Sequence, residues 1–125
     1  MSNIMAVMLN GIAQLEYHRD KPLNDHQELY LNKMDEKMAK GITLGDELIE
    51  NPDLQQRTQF VAANLADAII RNEEQVCAAL MAYLAVNLPD LQQVKITQEN
   101  NGEHMSIELV FDQAYQKQVP VKFFH

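Results

Sequence analysis

Two histidines and three carboxylates fall close together near the N-terminus: His18, Asp20, Asp25, His26 and Glu28. Imidazole and carboxylate together ligate divalent first-row metals, and a histidine beside an acid supplies a general base near neutral pH. The pairs His18-x-Asp20 and His26-x-Glu28 lack the four-residue spacing that sets two ligands on one helix face. The plainer reading is a solvated turn between two helices, with the acids serving as caps. A small metal-dependent enzyme built on these five residues is therefore the alternative expectation.

A second group is acidic. Asp46, Glu47 and Glu50 lead a segment, residues 43–75, whose acids (with Asp53, Asp67, Glu73 and Glu74) face only Arg57 and Arg71. That segment would suit a partner with a basic surface, although acids also gather at helix starts to complement the dipole. A third group is adaptable. Met5 and Met8, with Tyr30, Met34 and Met38, are spaced to line a groove between two helices.

Tests for nucleophilic catalysis fail. Ser2 and Ser106 are the only serines, and neither sits in a strand-to-helix elbow. Cys77, the single cysteine, lies within an apolar run that disfavours a thiolate. The four glycines are scattered, so no phosphate-cradling loop is present, and no motif implies a cofactor.

The chain has 125 residues, 46% of them apolar, and a formal net charge of −8. That length and composition predict one domain, residues 1–125, with a core of its own. The acidity argues against nucleic acid and against an anionic membrane surface as partners. A lone cysteine and no basic-flanked apolar leader fit a reduced, cytoplasmic setting.

The elements that would position these groups follow from periodicity and caps. Ile4, Met5, Met8, Ile12 and Leu15 repeat at threes and fours, which predicts a helix over residues 2–15. Asn24 or Asp25, each with a glutamine or glutamate three residues on, opens a second helix ending at Gly41. The two would form an antiparallel helical hairpin. Residues 43–50 read as a short helical turn. Asn51, Pro52 and Asp53 then restart a helix, with asparagine at the cap and proline in the first position. Residues 52–87 form either one long helix or two broken at Arg71–Asn72, with Asn72 and Gln75 as the second cap. Within them, residues 76–86 are all apolar, which predicts burial on every side.

Asn101-Gly102 is the preferred two-residue hairpin turn. Folding about it sets Val94 opposite Leu109, Ile96 opposite Ile107, Lys95 opposite Glu108 and Glu99 opposite His104, so apolar and charged pairs separate by face. Residues 118–124 alternate and carry Pro120, which predicts a third strand at an edge. The fold expected is α+β: an N-terminal helical hairpin and a central buried helix on a C-terminal three-stranded antiparallel sheet. The function expected is a non-catalytic protein-interaction module, in the manner of an adaptor, inhibitor, immunity-like protein or dedicated chaperone. It would bind another protein with a basic surface through Met5, Met8, Tyr30, Met34, Met38, Asp46, Glu47 and Glu50. Self-association into a homo-oligomer is a further expectation.

Overall fold

The structure, a computed structural model, describes residues 4–99 and 104–114. Its first element corrects the helix expected over residues 2–15. Strands β1 (Ile4–Leu9) and β2 (Ile12–His18) form an antiparallel hairpin about Asn10-Gly11. Both turn residues are left-handed, with φ of 50° and 81°. Such a turn matches the twist of the strands it joins, and Asn-Gly adopts it with little strain. The helical spacing of the five apolar residues is a coincidence spread over two strands, with Ile4, Met5 and Met8 in β1 and Ile12 and Leu15 in β2. The register shifts between Val7 and Met8, so Gln14 is left out of the ladder as a bulge.

Helix α1 (Asp25–Ala39) opens on the predicted capping box: Gln27 N–H donates to Asn24 Oδ1 at 2.8 Å, and Asn24 N–H donates to Gln27 Oε1 at 3.0 Å. The expected helical turn at 43–50 is instead a second hairpin, β3 (Ile42–Leu44) with β4 (Glu47–Ile49). Gly45, at φ 61°, is the first of its two loop residues, where the strand-compatible turn requires glycine.

Helix α2 (Leu54–Ile70) starts two residues later than expected. Asp53 is its cap and exchanges hydrogen bonds with Gln56, while Asn51 makes a left-handed turn before it. The break at Arg71–Asn72 is real, and its cause differs from the expected one. Asn72 closes α2 in a left-handed conformation, φ 58°, with Asn72 N–H on Ile69 O at 3.1 Å and Glu73 N–H on Ala68 O at 3.0 Å. These paired bonds satisfy carbonyls that the helix end would leave orphaned. Helix α3 (Glu74–Asn87) then begins with no side-chain cap.

Strands β5 (Gln93–Glu99) and β6 (His104–Val110) pair in the predicted register, from Gln93 opposite Val110 to Glu99 opposite His104. The Asn101-Gly102 turn itself, and the strand expected at 118–124, lie outside the described residues. The sheet is four-stranded and mixed, in the order β2-β1-β5-β6, with β1 parallel to β5 at its centre. It is neither three-stranded nor wholly antiparallel, and no N-terminal helical hairpin exists. The architecture remains α+β, with three helices and a separate two-stranded sheet among the described residues.

Met5, Val7, Val94 and Ile96 enter the core shared with α2 and α3. Ala6 and Gln93 point the other way and are buried as well. Gln93 Nε2 donates to Gln113 O at 2.9 Å, which brings the chain after β6 onto this second side. Helix α3 corrects the expectation of burial on every side: Tyr83 and Leu84 are sealed, but Val76 and Val86 are 39% and 49% exposed. An all-apolar run is no proof of all-round burial when alanines and valines are its outer residues.

Two polar pins hold the layers. The Tyr83 hydroxyl donates to Asp35 Oδ1 at 2.5 Å, and Arg57 Nη1 donates to the same oxygen at 3.0 Å. One carboxylate thus ties α1 to α2 and α3. Arg19, just past β2, donates through Nη2 to Leu88 O at 3.1 Å and Leu91 O at 2.6 Å. It fixes the turn from α3 into β5 and places a cation at the negative end of α3.

Candidate functional site

The histidines and acids singled out from the sequence do not form one centre. His18 ends β2 and lies 3.6 Å from Glu16. Asp20 is in the turn that follows. Asp25, His26 and Glu28 occupy the exposed first turn of α1, where the two acids face the helix dipole. Among the described residues no group of three or more histidine, cysteine, aspartate or glutamate side chains could hold a metal ion.

The methionine groove also fails to assemble, because its first wall is a strand. Met5 and Met38 are core residues; Met8 and Met34 are half-buried; Tyr30 alone of that set is well exposed. Asp46, Glu47 and Glu50 are exposed on and beside the β3–β4 hairpin, next to Leu48, which is 71% exposed. They remain an acidic surface with no further geometry.

Buried groups with reactive side chains are turned away from chemistry. Burial pushes the Cys77 thiol up, with Glu73 adding to the effect. Burial, then the hydrogen bond to Asp35, pushes the Tyr83 phenol far above the usual tyrosine value. Neither is an activated nucleophile.

A concavity lies outside the residue groups singled out from the sequence. It is a groove of about 670 Å³ between the first half of α2 and the outer strand β6. Thr58 and Ala62, both buried, form its bottom, and Ile107 and Leu109 line the β6 side. Leu54 and Phe111 stand on its rim, 39% and 47% exposed. None of the lining residues is charged. The Thr58 hydroxyl is already spent on Gln55 O at 3.0 Å. Asp53, before Leu54, and Asp112, after Phe111, are exposed beside the rim, while Glu108, between Ile107 and Leu109, lies opposite Lys95 on the other face of the sheet. A second groove of about 530 Å³ separates the start of α1 from the start of α3, bordered by His26, Tyr30, Val76 and Ala79.

The signal for the first groove was partly on the page in the sequence. The hairpin register predicts Ile107 and Leu109 on the apolar sheet face, and Phe111 continues their alternation. What the sequence could not give was the helix opposite them, some fifty residues away in the chain.

No protein-family model, no curated protein and no solved structure matches this chain. No helix among the described residues is long and apolar enough to cross a membrane.

Proposed function

We propose that the chain is a protein-interaction module that binds through the groove between α2 and β6. The observation that carries this reading is the groove's lining: uncharged, mainly apolar, and flanked by two large apolar side chains left in water. A small-molecule site gains orientation from a few convergent polar groups. Here the glutamines Gln55 and Gln59 lie on the helix side and the one hydroxyl at the bottom is already bonded, so nothing titratable or metal-ligating converges. A polypeptide needs no such convergence, because apolar side chains seat by shape and burial.

The test is site-specific photocrosslinking in native lysate. Benzoylphenylalanine replaces Phe111, and in a control it replaces Ile12, which is 64% exposed at the other end of the sheet. A discrete protein adduct is expected at position 111, lost when Leu54→Asp is added, and absent at position 12. No adduct at 111, or equal adducts at both positions, refutes the reading.

A further inference from the structure

We infer that the partner presents an extended basic segment, which adds to β6 as a fifth strand and sets every second side chain into the groove. This inference rests on the groove being a docking surface and specifies what docks there.

Among the described residues the sheet ends on β2 and β6, and the two ends differ. A natural edge strand is usually blunted by a bulge, a proline, a short length or several charges, because its free N–H and C=O groups invite pairing. β2 carries such a device in the bulge at Gln14. β6 does not. Its seven residues pair with β5 one for one, with no register shift, and hold one carboxylate and no proline. Among the described residues no strand lies on its outer side. A long, regular, lightly charged edge beside an apolar groove is a template for strand addition.

Side chains on a strand alternate between the two faces of its sheet. Ile107 and Leu109 face α2, so a strand laid beside β6 would put its own alternate side chains on that same side, above Thr58 and Ala62. The intervening side chains would stand with Glu108, on the face away from the helices. Cross-strand neighbours of opposite charge support a pairing and like charges oppose it. Glu108 has Lys95 opposite it on β5; on its other side, and beside exposed Asp53 and Asp112 at the rim, an intervening lysine or arginine adds an opposite-charge neighbour where a carboxylate would add a like one. The same charges oppose a second copy as occupant. Two chains of net charge −8 repel, and a two-fold pairing of β6 with β6 would bring Glu108 towards its own symmetry mate.

The experiment titrates the full-length, isotope-labelled chain with a synthetic nine-residue peptide of alternating lysine and valine. A peptide alternating glutamate and valine is the control. Saturable shifts are expected at the Ile107 and Leu109 methyls, with new amide protection along β6. The glutamate peptide should bind at least about tenfold more weakly. Glu108→Lys and Asp112→Lys, both at exposed positions, should each weaken the lysine peptide, and added salt should do the same.

Shifts confined to the β3–β4 hairpin or to the α1–α3 groove overturn the inference. So does equal binding of both peptides, which would leave the groove apolar in preference and indifferent to charge. A dimer in light scattering that dissociates on Leu109→Asp would assign the edge to a second copy. A peptide of the chain's own residues 116–125 that binds more tightly than the lysine peptide would assign it to the protein itself. An adduct at position 111 without lysine-peptide binding sinks the strand geometry alone and leaves the docking surface standing.

Discussion

Removing one hydroxyl tests how the three helices are held. Tyr83 is fully buried, and its hydroxyl gives its proton to Asp35 Oδ1, the oxygen that also receives Arg57 Nη1. Tyr83→Phe leaves the ring packing intact and deletes a hydrogen bond to a charged acceptor. Such bonds contribute roughly 1.5–3 kcal/mol. The Asp35 side chain is 38% exposed, so water replaces part of the loss and the low end applies. About 1.5 kcal/mol is therefore expected. At about 2.1 cal/mol/K per residue, 125 residues have an unfolding entropy of about 0.26 kcal/mol/K, so Tm should fall by about 6 °C. Asp35→Ala should cost more, about 3 kcal/mol. It strands the buried hydroxyl without an acceptor and leaves Arg57, whose Nε is already buried without a partner, with nothing to hold. The decisive species is the double variant. With Asp35 gone the Tyr83 hydroxyl is a liability, so adding Tyr83→Phe should restore about 1 kcal/mol relative to Asp35→Ala. Urea unfolding followed by far-ultraviolet circular dichroism measures all three, with an unchanged m-value as the check that the transition is the same. A double variant less stable than Asp35→Ala, or a Tyr83→Phe chain as stable as the parent, would refute the claim that this carboxylate joins the helices.

Arg19→Lys keeps a cation but ends one bond short of Nη2, the single nitrogen that donates to both carbonyls, and a drop of about 2 kcal/mol is expected on thermal unfolding. Asn10 both turns left-handed and accepts Gln98 N–H at 2.8 Å. Asn10→Gly should therefore cost about 1 kcal/mol and Asn10→Ala about 2, since alanine loses the bond and resists the turn; equal losses would show that the turn conformation is immaterial. Tyr17, Cys77 and Tyr83 are all held above their ordinary values, in each case chiefly by burial. A group raised in the folded state keeps its contribution below the unfolded value and loses it as pH climbs towards the folded one. Stability should thus be level through neutrality and fall beyond the ordinary thiol and phenol values of 9.0 and 10.0. Tyr83→Phe should flatten the fall above pH 10, and an unchanged slope in denaturation against pH would count against the burial argument.

Much that is local was legible. The capping box of Asn24 with Gln27 forms as its spacing demands. The β5–β6 register follows from Asn101-Gly102 and from the clean separation of apolar and charged pairs. The same dipeptide at Asn10-Gly11 carries equal information, but the helical spacing of methionine and isoleucine around it points the other way. The cause is the position of β1. A strand in mid-sheet beside a parallel neighbour is buried on both sides, so Met5, Ala6 and Val7 read as a continuous apolar run without the alternation that marks a half-buried strand. β3 and β4 were missed for a related reason: three residues each are too few to show a period.

The candidate site divides in the same way. The amino-acid order alone determined where turns, caps and breaks fall, because these depend on residues within four positions of one another. It also determined that Ile107 and Leu109 share one side of a strand. Only the tertiary structure decided that β1 enters between β2 and β5, that β6 is the outer strand among the described residues, and that α2 lies beside it. Those outcomes depend on burial shared between segments fifty or more residues apart, and no local pattern of side chains encodes which distant surface will cover them.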